Sequence, residues 1–259
     1  MTKLDYTGFS FEREIASDAD TCEEFNSLRT PHDLENEIQH AVDSIIRGCE
    51  DVDWSEDLIT FNIIKELRNI LMVYKIPKTL EQETQSKFNF EAYKLTGKAE
   101  QSHGDIAFIV TRKILNHKKP ISGVAFYEAK ASSIGYEEHR YPSFDIQQLR
   151  RLVTNTPKLS YLIYNKESCS VGDSNWPLTS SYYNEEAWKY TNTKRVNALT
   201  IDASFLKQFR NIDAASFAVG QSFGSHFVTR VLSGRDLDYS RSVEQTIRRW
   251  IKGSSHLRV

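Results

Sequence analysis

Apolar residues recur along this chain at two spacings, and the change from one to the other organises it. Between Thr30 and Gly48, Leu34, Ile38, Ala41, Val42, Ile45 and Ile46 fall three or four residues apart, which predicts a helix with one apolar stripe. Thr30 is placed to cap it, Pro31 suits its first position, Asp33 complements the positive helix end and Gly48 stops it. The same period returns in DWSEDLITFNIIKELRNILMVY, where Ile59, Ile63, Leu67, Ile70 and Leu71 form the stripe and Asp53 and Glu56 have capping-box spacing. The period then falls to two. KFNFEAYKLTG alternates Phe88, Phe90 and Ala92 with polar partners, GDIAFIVTRKIL is a second strand, HKKP a turn and ISGVAFYEAKAS a third strand. SFDIQQLRRLVTN returns to the helical period, with Phe144, Leu149, Leu152 and Val153 on one side. LSYLIYN reads as a short buried strand, VNALTIDA as another, and RSVEQTIRRWIKG as a helix with Val243, Ile247, Trp250 and Ile251 inward.

The order is helix, helix, three strands, helix, strand and then mixed structure. It predicts an α/β fold with a mixed central sheet flanked by helices, in one domain spanning 1–259. Within it, residues 1–29 have no clear period and read as a peripheral arm, 30–165 as the core and 166–259 as a C-terminal elaboration. The strand–helix–strand passage from VAFYEAK through QQLRRL to LSYLIY predicts a right-handed crossover between parallel strands.

Composition changes this picture in two places. The three cysteines, Cys22, Cys49 and Cys169, are far apart and form no CxxC pair, which argues against a zinc site or a disulfide framework and fits a reducing, cytoplasmic setting. No apolar run resembles a signal peptide or a membrane span. The net charge of −2 conceals a gradient: residues 1–60 hold 4 Lys and Arg against 16 Asp and Glu, and the remainder 29 against 19. The acidic part would repel a polyanion and the rest attract one, or both are simply solvated faces.

The chemistry concentrates at the end of VAFYEAKAS. Side chains alternate along a strand, so Glu128 and Lys130 share a face with Val124 and Phe126. Asp105 precedes the strand before, and an antiparallel pairing of the two strands brings it to the same end of the sheet as Glu128. Two carboxylates offer hard oxygen ligands to Mg²⁺ or Mn²⁺ and would repel each other without a cation. A cation lowers the pKa of bound water, and Lys130 is suited to orient or help deprotonate that water and to stabilise developing negative charge.

Asp105 followed by Glu128-Ala129-Lys130 resembles the PD-(D/E)xK nuclease superfamily, the restriction-endonuclease-like fold. Its αβββαβ core matches the element order from about Leu58 to Tyr164. The resemblance implies a Mg²⁺- or Mn²⁺-dependent DNA endonuclease in which Asp105 and Glu128 bind metal and Lys130 is catalytic. It also implies an acidic residue from the first core helix, for which Glu56 is the candidate with Glu66 behind it. A glutamine on the helix after the third strand is implied too, and Gln148 is preferred over Gln147 because it lies four residues from both Phe144 and Leu152. The residue before Asp105 is Gly104, where the superfamily's name-giving pair has proline. The implied setting is restriction or anti-phage defence, with a homodimer for double-strand cutting and an ATPase or sensor subunit as partner. The alternatives are a non-catalytic nucleic-acid- or protein-binding member of the fold and an RNA-directed or repair nuclease. Lys118, Lys119, Arg150, Arg248 and Arg249 are the candidate DNA contacts, with His117, Arg241, Lys252 and Arg258 nearby in sequence. The aromatic run with Trp176, Tyr182, Tyr183 and Trp188 either stacks on bases or covers the sheet. His103 is read as structural. No phosphate-binding GxxxxGK[ST] loop and no HExxH zinc motif occurs.

Overall fold

A computed structural model describes residues 30–73, 86–114, 118–132, 144–171, 194–208 and 219–253. The expected arm 1–29, His117, the aromatic run from Trp176 to Trp188 and Arg258 lie outside these residues.

Helix α1 (Pro31–Arg47) begins as its sequence predicts. The Thr30 hydroxyl accepts from Asp33 N–H at 3.2 Å and the Asp33 carboxylate accepts from Thr30 N–H at 2.6 Å, a reciprocal capping box. Gly48 ends it, its N–H donating to the Ser44 carbonyl at 2.9 Å. Helix α2 (Glu56–Val73) corrects one expectation. Ile59 N–H donates to the Ser55 carbonyl at 3.0 Å, so Ser55 rather than Asp53 stands at the start of the helix. Asp53 instead closes a short 3-10 helix (Asp51–Asp53). The next residue, Trp54, donates from Nε1 to the Ser132 carbonyl at 2.8 Å, and this anchors the turn against the end of a central strand.

The strands are β1 (Ser86–Lys94), β2 (Ile106–Ile114), β3 (Ile121–Ala131), β4 (Ser160–Val171), β5 (Lys194–Asp202) and the short β6 (Gln221–Ser222), hydrogen-bonded in that order in one sheet. Neighbours are antiparallel except β3 and β4, which run parallel. Between β1 and β2 lies a short helix, α3 (Lys98–His103), that the two-residue period of the flanking strands does not announce. Helix α4 (Ile146–Asn155) lies in the connection between the parallel pair, as expected. Strand β4 outlasts the apolar stretch LSYLIYN. A bulge between Tyr164 and Cys169 carries it on, and the Asn197 side chain donates to the Asn165 and Lys166 carbonyls at 2.9 Å each. The chain then forms α5 (Ala203–Leu206), α6 (Phe223–His226) running into six residues of π-helix (Phe227–Leu232), and α7 (Arg241–Gly253).

Both faces of the sheet are covered, so β2 and β3 are buried on each side. One face carries Phe108, Tyr127 and Tyr164 against the α1 and α2 stripes, joined by Phe223 and Phe227. The other carries Ile109, Phe126 and Ile163 against Leu149 and Leu152 of α4 and Ile247 and Ile251 of α7. Residues beyond 165 therefore share this sheet and both layers of packing. Among the described residues no helix is long and apolar enough to cross a membrane.

The contact between α1 and α6 depends on Gly224. Its N–H donates to Gln39 Oε1 at 2.8 Å, and an added Cβ would fall onto the Glu35 carbonyl oxygen and within 2.9 Å of Gln39 N. Backbone cannot move aside as a side-chain tip does. Gly224→Ala is therefore expected to lower the unfolding free energy by about 1–3 kcal/mol, read as a shift of the urea midpoint at unchanged slope.

Candidate active site

Asp105 and Glu128 meet because of strand register. Ile106 pairs with Tyr127, so Asp105 stands opposite Glu128, and Asp105 N–H donates to the Tyr127 carbonyl at 2.8 Å. The Asp105 carboxylate then accepts from Ala129 N–H at 2.7 Å, which fixes it across the start of the Glu-Ala-Lys segment. The chain enters this position through Gly104, whose φ is +92°. There a Cβ would lie 2.8 Å from the Tyr127 carbonyl oxygen, so glycine is needed for both conformation and closeness.

Glu128 is 1% exposed, and three elements converge on it. From its own strand, Lys130 places Nζ 2.7 Å from Oε1. From α4, Gln148 donates through Nε2 to the same Oε1 at 2.7 Å, in keeping with its predicted place on the sheet-facing side of that helix. The Asp145 carboxylate caps α4 by accepting from Gln147 N–H at 2.7 Å, while the Gln147 side chain is exposed. From the first turn of α2, Glu56 reaches Lys130 at 3.7 Å. The anchoring of Trp54 on Ser132 brings this helix start to the end of β3. The second oxygen of Glu128, Oε2, is buried and has no hydrogen-bond partner. So has the hydroxyl of Tyr161 on β4, the residue paired with Glu128 across the parallel register.

The electrostatics follow from this crowding. Burial, reinforced by the Asp105 charge, pushes the Glu128 carboxyl up to about 7 against the opposing pull of Lys130. Burial also raises Glu56, opposed by Lys130 and by the Ala131 N–H. Burial works against the Lys130 ammonium, yet Glu128, Glu56 and Asp105 outweigh it and raise its pKa. At neutral pH Lys130 is thus a cation held among carboxylates.

The donor set suits a hard divalent cation in one respect: a buried carboxylate oxygen with no partner stands beside a second acid. Among the described residues no three His, Cys, Asp or Glu side chains gather as a metal-holding group. Glu56 stands beyond Lys130, leaving Asp105 and Glu128 as the acidic pair. One or two carboxylates are what Mg²⁺ ordinarily takes from a protein when waters and phosphate oxygens complete its shell.

Other candidate residues lie elsewhere. Glu66 is ten residues along α2 from Glu56, about 15 Å of helix, and accepts from Asn69 at 3.1 Å. Lys118 and Lys119 are exposed before β3, at the end of that strand opposite the site, beyond the roughly 23 Å of strand that separates Ile121 from Glu128. Arg150 and Arg249 are exposed on α4 and α7. Arg248 is engaged within the fold, 2.9 Å from Glu91 and 2.9 Å from Glu244. His103 bonds Thr156 at 2.7 Å and stacks on Phe126, a structural role. Tyr161 was not among the expected site residues, because only the parallel register places it beside Glu128.

No protein-family model matches the chain, and no match was found among curated proteins or among solved structures.

Because the folded chain holds the Glu128 proton to higher pH than the unfolded chain, stability falls as pH rises from about 4.5 towards about 7. In chelator, wild type is expected to lose up to about 3 kcal/mol across that window that Glu128→Gln does not lose. Urea unfolding at a series of pH values measures this, and the difference in slope between the two proteins is the readout.

Proposed function

We propose that this chain is a metal-dependent endonuclease that hydrolyses phosphodiester bonds of DNA, organised like the PD-(D/E)xK superfamily. One observation carries the reading. Glu128 is buried with one oxygen held by Gln148 and Lys130 and the other free, directly across from Asp105. Buried carboxylate oxygens that serve only the fold are in the large majority bonded. The order α2-β1-β2-β3-α4-β4, with α3 inserted between β1 and β2 and the parallel pair at its end, supports the same reading.

A divalent cation such as Mg²⁺ or Mn²⁺ at Asp105 and Glu128 would supply an acidified water and offset charge on the scissile phosphate, with Glu56 held on Lys130 rather than among the ligands. The chain's own residues do the positioning. Ala129 N–H holds the Asp105 carboxylate, and Gln148 fixes the rotamer of Glu128 so that Oε2 stays available. Lys130 Nζ, 2.7 Å from Glu128 Oε1, is placed to receive a phosphate oxygen and stabilise the charge building on it. Arg150 and Arg249, exposed on α4 and α7, are offered to the nucleic-acid backbone. Cutting both strands requires two such centres, hence a homodimer, and restriction or anti-phage defence in the cytoplasm beside an ATPase or sensor subunit is the proposed setting.

The test is cleavage of plasmid DNA and of RNA with Mg²⁺ or Mn²⁺, comparing wild type with Glu128→Ala and Lys130→Ala. Each substitution is expected to lower the DNA cleavage rate at least about a hundredfold while chelator abolishes it. Activity that survives both substitutions, or that persists in chelator, overturns the mechanism. Preferential cleavage of RNA overturns the DNA assignment alone.

A further inference from the structure

Tyr161 is fully buried at the start of β4, and its phenolic oxygen has no hydrogen-bond partner. A buried hydroxyl without a partner costs about 1–3 kcal/mol, and folds rarely retain one without a use for it. Tyr161 pairs with Glu128 across the parallel register, so both side chains leave the sheet on the same face. Packing limits what meets the phenol: Leu149 and Leu152 of α4 belong to the same core layer, and the Phe144 ring lies edge-on to its own at 6.4 Å. The phenol presents an O–H donor, while Glu128 Oε2 on the adjoining strand presents an acceptor with nothing to accept from. A hydrated divalent cation would satisfy both groups, taking the open acceptor as a ligand and the open donor through one of its waters.

We propose that Tyr161 is a positioning residue of the site, whose hydroxyl would donate to a water in the hydration shell of a divalent cation held at Glu128 Oε2 and Asp105. The inference rests on the cation-dependent reading of the site and adds to it a residue from the parallel neighbour strand. The phenol touches neither cation nor phosphate. It orients the water, so its loss weakens cation binding without opening the fold.

The test compares the full-length chain with its Tyr161→Phe variant, which lacks only the hydroxyl. The thermal midpoint is read in chelator, and Mn²⁺ affinity is read by calorimetry. In chelator the variant is expected to melt no lower than wild type, because no internal bond is lost. Its Mn²⁺ affinity is expected to fall about three- to tenfold, the worth of one neutral hydrogen bond. A variant that melts lower in chelator shows a hydroxyl bonded within the fold and overturns the proposal. Equal Mn²⁺ affinity in the two proteins overturns it while leaving the cation reading intact. A wild-type chain that takes up no Mn²⁺ removes the cation reading and this inference with it.

Discussion

Strands β3 and β4 run side by side in the same direction, and a chain achieves this only by leaving the sheet after the first strand and crossing back over one face. The candidate site is built by that crossing. Helix α4 lies along the return path, packs Leu149 and Leu152 against the sheet, and thereby carries Gln148 onto Glu128. The same pairing seats Tyr161 beside Glu128. The antiparallel pairing of β2 with β3 adds Asp105 from the opposite side. Glu128 is thus reached from both neighbouring strands and from the helix above, and none of these contacts requires a long or flexible arm.

The electrostatic balance at this place is unfavourable for the fold alone. Asp105 and Glu128 are both buried, and the first raises the proton affinity of the second. Lys130 relieves part of the repulsion and Gln148 satisfies one oxygen, but Oε2 is left open. A sheet selected only for stability would carry apolar side chains here, as it does at Phe126, two residues earlier on the same face. The contrast along one strand, from tightly packed apolar residues to incompletely satisfied charge within two positions, is where packing gives way to chemistry. The apolar part serves the charged part, because buried Val124 and Phe126 leave the strand little freedom to move.

Much of this arrangement was legible in the sequence, for identifiable reasons. The stripes of α1 and α2 and the alternation of the strands follow from periodicity, which local spacing encodes directly. The meeting of Asp105 and Glu128 follows from the short connection between β2 and β3. Gln148 follows from its four-residue distance to two apolar neighbours. What was not legible depends on long-range geometry or on competing local bonds. Asp53 and Ser55 both suit a helix start, and it is the Trp54–Ser132 contact, 78 residues apart in sequence, that fits the 3-10 helix to the end of β3. The parallel register that brings in Tyr161 leaves no mark in either strand's own sequence. Lys118 and Lys119 are near Glu128 in sequence yet at the far end of its strand, since an extended chain separates residues faster than any other conformation.

Gly104 decides how the chain arrives at the site. Its φ of +92° lies outside the range of a proline ring, and its N–H is used, donating to the Glu100 carbonyl at 2.8 Å. Proline at this position would require a different path from α3 into β2. The left-handed glycine beneath the Tyr127 carbonyl is thus the joint that turns the chain out of α3 and delivers Asp105 to Glu128, and any side chain at this position would push the two strands apart.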